Sequence, residues 1–122
     1  MKLAGQVALI IGGARGIGAT IADTFSKEGA SLVLVDLEKM KTELEAVAQG
    51  VNQNGGKAVA ITADCSDDRQ VNNLVDETVR RFGKIDVLIN SAGFRGPLVA
   101  VTEISDKEFD DVILYNLKLV FL

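Results

Sequence analysis

Apolar residues along the chain fall into short continuous runs that alternate with stretches repeating every three or four positions. Residues Val7–Ile11, Ser31–Asp36, 58–62 and 85–90 are runs of five or six residues rich in Val, Ile and Leu. Their length and lack of polar alternation predict strands covered on both faces, as in a parallel sheet. Between them, Ile17, Ile21, Ala22 and Phe25 mark one helical face that ends at Gly29. Met40, Leu44, Val47 and Val51 mark a second, stopped by Asn52-Gln53-Asn54-Gly55-Gly56. Val71, Leu74, Val75, Val79 and Phe82 mark a third, with Asp67 and Asp68 at the end of the helix that favours negative charge. After a loop carrying Gly93, Gly96 and Pro97, Ser105 and Glu108 form a capping box. It starts a last helix whose stripe is Phe109, Val112, Ile113, Asn116 and Val120, a face that should be buried.

Adjacent parallel strands need a long connection, and helices of this length supply right-handed crossovers. The expected class is therefore α/β: a Rossmann-like, doubly wound parallel sheet of four strands in the order 3-2-1-4, with helices on both faces. Residues 1–122 are expected to form a single domain. Its last helix reaches Leu122 without a capping residue, so the domain is expected to be incomplete at its C-terminus. Strand 4 is then a bare hydrophobic edge and the last helix keeps an uncovered apolar face, through which a homo-oligomer can form.

Composition narrows the chemistry. Formal net charge is -4 and no local Lys/Arg cluster offsets it, which argues against a nucleic-acid or membrane partner. There is no His and one cysteine, Cys65, so no disulfide within the chain and no metal site are expected. Residues 3–11 are interrupted by Gln6 and followed by a glycine loop, unlike a signal peptide. A reducing cytoplasm is the expected setting.

The glycine loop, residues 11–18 (Ile-Gly-Gly-Ala-Arg-Gly-Ile-Gly), lies where the first strand gives way to the first helix. Unpaired N–H groups and the positive end of the helix dipole make that junction a pyrophosphate site, provided no Cβ blocks the approach. Gly12, Gly16 and Gly18 supply the clearance. Asp36 ends the second strand about 20 residues beyond the loop, where a carboxylate accepts hydrogen bonds from an adenosine ribose. The bland alternative is a solvated residue at a strand end. A carboxylate there repels the 2′-phosphate of NADP, and Leu37 follows rather than a compensating Arg, so NAD is preferred over NADP. Arg15 could still reach a 2′-phosphate.

The spacing Gly-x-x-x-Gly-x-Gly, together with Asn90-Ser91-Ala92-Gly93, resembles the short-chain dehydrogenase/reductase family. Tyr115-Asn116-Leu117-Lys118 and the residues after it look like that family's fourth-helix segment. The resemblance implies an NAD(P)-dependent oxidoreductase that transfers hydride between nicotinamide and a carbonyl or alcohol. It also implies that Asp64 binds the adenine amino group and that the backbone N–H of Cys65 contacts the ring. The implied cofactor set is Gly12, Arg15, Gly16, Ile17, Gly18, Asp36, Leu37, Asp64, Cys65, Asn90, Ala92 and Gly93. Asn116 matches the catalytic Asn of a Ser-Asn-Tyr-Lys tetrad, which holds a water in the proton relay; on the residues alone, a buried amide on an apolar face is a structural hydrogen-bonding group. Two positions depart from the family: Ile11 stands where Thr is usual, and Ser91 where a second Asn is common. The only Tyr is Tyr115, and Lys118 lies three residues on, so the Tyr-x-x-x-Lys pair is not among these residues. The alternative is a catalytically inactive dinucleotide-binding or self-associating scaffold module.

Overall fold

Strand β1 (Val7–Ile11) is buried along its whole length because it lies inside the sheet, with neighbours on both edges. The computed structural model describes residues 1–121; Leu122, the end of the expected last helix, lies outside the described residues. β2 (Ser31–Asp36) pairs with one edge of β1, β3 (Lys57–Thr62) pairs beyond β2, and β4 (Val87–Asn90) takes the other edge of β1. All pairings are parallel, as the alternating pattern predicts, and the order is β3-β2-β1-β4, the order expected of a Rossmann-like sheet. Val7 stands opposite Ser31, Leu9 opposite Leu88, and Ser31 opposite Lys57.

Alternate side chains of a strand point to opposite faces, and each face has its own core. Ala8, Ile10, Leu32 and Leu34 meet Ala22 of helix α1 (Gly16–Lys27) and Leu44, Ala48 and Val51 of α2 (Lys41–Gln53). On the other face, Leu9, Ile11, Val33 and Val35 meet Cys65, Leu119, and Leu74 of α3 (Asp68–Phe82). The architecture is a Rossmann-like sheet with helices on both faces. A 3₁₀ turn, Glu38–Met40, precedes α2. Among the described residues no helix is long and apolar enough to cross a membrane.

Three boundaries and faces differ from the sequence-based expectation. β3 begins one residue earlier, at Lys57. β4 begins at Val87 rather than at residue 85, since the Asp86 carboxylate itself accepts the Val7 N–H at 2.8 Å where a ladder bond would start. The third difference concerns the last helix, which is α4 (Asp106–Ile113), a π turn (Leu114–Lys118) and a short α5 (Leu119–Phe121). Its stripe of Phe109, Val112, Ile113, Asn116 and Val120 is not the buried face: Phe109 is 60% and Val120 51% exposed, and Asn116 is exposed as well. Instead Tyr115 and Leu119, four residues apart, pack against the Leu9–Val35 face. A π turn inserts an extra residue per turn and rotates the face that follows, so strict helical periodicity misplaces it.

Candidate functional site

The carboxyl ends of the strands open into a cleft of about 510 Å³. It lies where α1 leaves β1 towards β2 while β4 flanks the other edge, the reversal point at which open α/β sheets bind ligands. Gly12 turns the chain there with φ +86°, and a Cβ on it would stand 2.6 Å from the Ala92 nitrogen. The turn after β1 and the turn after β4 therefore touch backbone to backbone. Ser91 N–H donates to the Ile11 carbonyl at 2.8 Å, so a main-chain bond ties the two turns although Ile11 offers no hydroxyl. Gly12 and Gly13 both donate to the Val35 carbonyl, at 2.8 and 3.0 Å, fixing the loop to β2.

Helix α1 begins with no side-chain cap and no acidic residue in its first turn. By contrast, the Asp67 side chain accepts from Arg69 N–H at the start of α3, and Ser105 with Glu108 closes a capping box on α4. The first-turn donors of α1 are thus left to the cleft, which Arg15, Gly16 and Ile17 line. Gly18 is buried and does not line it; a Cβ there would strike the Gly12 carbonyl oxygen, so its role is close packing of helix on loop.

Asp36 stands on the β2 side. Its Oδ2 accepts Ala14 N–H at 3.2 Å and its Oδ1 accepts Leu37 N–H at 2.9 Å, so the carboxylate is held between the strand end and the glycine loop. It is not a freely solvated strand-end residue. Glu38 is drawn away towards β3 by the Thr62 hydroxyl at 2.6 Å. At the β3 exit, Asp64 Oδ1 accepts Ser66 N–H at 3.0 Å and the Ser66 hydroxyl at 2.6 Å. Burial, with Asp64 and then Asp36 adding negative charge, pushes the Cys65 thiol up to about 11. It stays a thiol at neutral pH and is no nucleophile.

Asp36, Leu37, Asp64, Cys65, Ala92 and Gly93 all line the cleft with the glycine loop. Asn90 and Asn116 do not. Asn90 ends β4 in an exposed position. Asn116 sits behind the turn: its Oδ1 accepts Phe94 N–H at 3.2 Å, and its Nδ2 donates to the carbonyls of Phe94 at 2.7 Å and Val112 at 3.0 Å. Its Oδ1 approaches Gly93 so closely that a Cβ there would lie 2.5 Å away. Sequence reasoning missed Lys39, Met40, Phe94, Tyr115 and Leu119, which also line the cleft. The spacing of Tyr115 and Leu119 carried a signal, but the stripe through Asn116 competed with it.

The sequence matches the short chain dehydrogenase family model over residues 6–122. The chain belongs to this family. An uncharacterised oxidoreductase of Methylorubrum extorquens is 36% identical over 121 residues, covering 99% of this chain and 48% of its own length. An NAD+-bound xylitol dehydrogenase superimposes with a TM-score of 0.93 at 31% identity, covering 99% of this chain and 46% of that one. A metagenomic short-chain oxidoreductase in complex with NADP gives a TM-score of 0.92 at 31% identity, covering 99% of this chain and 54% of that one. The chain thus spans about half the length of the relatives it matches.

Proposed function

We propose that residues 1–122 form one dinucleotide-binding domain of an NAD(P)-dependent oxidoreductase, with NAD preferred over NADP. The observation that carries this reading is the uncapped start of α1, opening on a cleft whose floor is two touching backbone turns and whose β2 side holds Asp36. That cradle suits a pyrophosphate: Gly16 has nothing within 4 Å of a Cβ position, so the approach is open. Two relatives of known structure hold NAD+ and NADP respectively, which supports the cofactor class.

In this reading the N–H groups of Gly16 and Ile17 receive the pyrophosphate, with Arg15 beside it, while Gly18 lets the helix close on the loop. Asp36 accepts the adenosine ribose hydroxyls through the lone pairs that its two backbone bonds leave free, and Leu37 borders the same ribose. Asp64 and Cys65 take the adenine edge, while Ala92 and Gly93 border the middle of the molecule and Asn90 braces the end of β4. Bound nicotinamide supplies hydride exchange with a carbonyl or alcohol. Asn116 positions the turn after β4 by gripping Phe94, and its role in the proton relay that the family resemblance implies is to hold a water. The Ser and the Tyr-x-x-x-Lys of that relay are not among the 122 residues. A buried, unionised Cys65 suits a reducing cytoplasm.

Titration of the purified chain with NADH and NADPH, following nicotinamide fluorescence, tests the reading. NADH should bind at least about tenfold more tightly than NADPH, because the 2′-phosphate lies against the Asp36 charge. Asp36→Ser should narrow the ratio. Equal affinities would remove the NAD preference, and absence of binding by a folded chain would remove the cofactor site.

A further inference from the structure

Among the described residues, the cleft has one pair of facing aromatic rings. Phe94 and Tyr115 meet edge to face, with ring centroids 5.7 Å apart and planes at 76°. Both line the cleft that Asp36, Asp64 and Cys65 share. The two residues are anchored differently, Tyr115 by its ring and Phe94 by its backbone. Tyr115 packs against the cluster containing Cys65 and the buried Leu119, one turn further on. Phe94 is held by its backbone, N–H and carbonyl both, in the grip of the Asn116 amide. Two consecutive residues of the π turn thus shape the aromatic corner, Tyr115 with its ring and Asn116 by holding the Phe94 backbone. The fold needs only part of this ring: Tyr115 is half-buried, and its remaining face borders the cleft. A pre-positioned flat surface of this kind costs little ordering entropy when it meets a flat ligand.

We propose that Tyr115 is a positioning residue of the adenine subsite, its ring forming the wall against which the base of the bound dinucleotide lies. The proposal rests on the dinucleotide reading given above. Adenine rather than nicotinamide is the occupant because Tyr115 shares its packing cluster with Cys65, at the β3 exit. The carboxylates suited to ribose and to an exocyclic amine, Asp36 and Asp64, stand on that same side. Leu37 and Met40 enter the cleft from the β2 end and add apolar surface for the base. No chemical step is assigned to the phenol; stacking of a base on an aromatic ring is tolerant of the hydroxyl.

Tyr115 is the only tyrosine and the chain has no tryptophan, so intrinsic emission reports this one position. Emission is followed during titration with NADH, ADP and nicotinamide mononucleotide, corrected for nucleotide absorption against free tyrosine amide. NADH and ADP should both change Tyr115 emission, and nicotinamide mononucleotide should not. Affinity for ADP and NADH should fall by roughly tenfold in Tyr115→Leu, which keeps apolar volume against the cluster but removes the flat ring, and should be retained in Tyr115→Phe. Full affinity in Tyr115→Leu, or an emission change produced by nicotinamide mononucleotide alone, would overturn the assignment while leaving the dinucleotide site intact. If nicotinamide fluorescence shows that NADH does not bind the folded wild-type chain, the site reading and this assignment fall together.

Discussion

Gly12 and Gly16 lie four residues apart in one loop, yet they answer to different constraints. A Cβ on Gly12 would collide with the Ala92 backbone, and its φ of +86° is a conformation L side chains rarely adopt. Gly12→Ala should therefore cost about 3 kcal/mol and lower the midpoint of thermal or denaturant unfolding as well as abolish binding. Gly16→Ala meets no neighbour, so its φ of +61° costs about 1–2 kcal/mol. The chain should stay folded while cofactor affinity falls, because the new methyl group enters the phosphate approach. Circular dichroism melts run beside NADH titrations separate the two outcomes. Cys65 gives a third test at this scale. Burial, then Asp64 and Asp36, raise its thiol from 9.0 to about 11. The unfolded chain therefore loses this proton first: stability is unaffected below about pH 9 and declines as pH rises through about 11. Wild type should lose more stability across that window than Cys65→Ala in denaturant melts at each pH.

At the scale of elements, β3 is a sheet edge, and edges invite pairing with other chains. Asn52, in the last turn of α2, closes part of it. Its Nδ2 donates to the Ala58 carbonyl at 3.0 Å and its Oδ1 accepts Ala58 N–H at 2.8 Å, so one side-chain amide imitates a neighbouring strand. Asn52→Ala should cost about 1 kcal/mol and increase concentration-dependent association on size-exclusion chromatography. This clasp was not legible in the sequence, where Asn52 reads only as the start of a stop signal. The strands and first three helices were legible because buried runs and helical stripes keep a regular period. The last helix was not, since the π turn at 114–118 breaks that period and hands the buried face to Tyr115 and Leu119. The site divided in the same way. Glycine spacing and the carboxylate after β2 are local signals, whereas Lys39, Met40 and Phe94 enter the cleft through turns that carry no periodic pattern.

Across the whole molecule the two cores are unequal. The face bearing α1 and α2 covers β4 through Val87 and Ile89, while Leu88 on the opposite face is 54% exposed. Phe109, Leu117, Val120 and Phe121 are exposed as well. An apolar surface of this extent favours association, so the 122-residue chain should sediment as more than a monomer at high concentration. Leu117→Asp should shift it towards monomer without changing NADH affinity, because Leu117 does not line the cleft. A monomer at all concentrations would show that this surface does not self-associate.

Amide-resolved NMR of the labelled chain titrated with NAD+ decides whether these residues bind a dinucleotide at the glycine loop. Saturable shifts are expected at Gly16 and Ile17, with others at Ala14, Leu37, Cys65 and Gly93. The competing location is the open groove between α2 and β3, lined by Glu45, Gln49, Asn52 and Ala60. Shifts confined to that groove, or none in a folded chain at millimolar NAD+, would contradict the account.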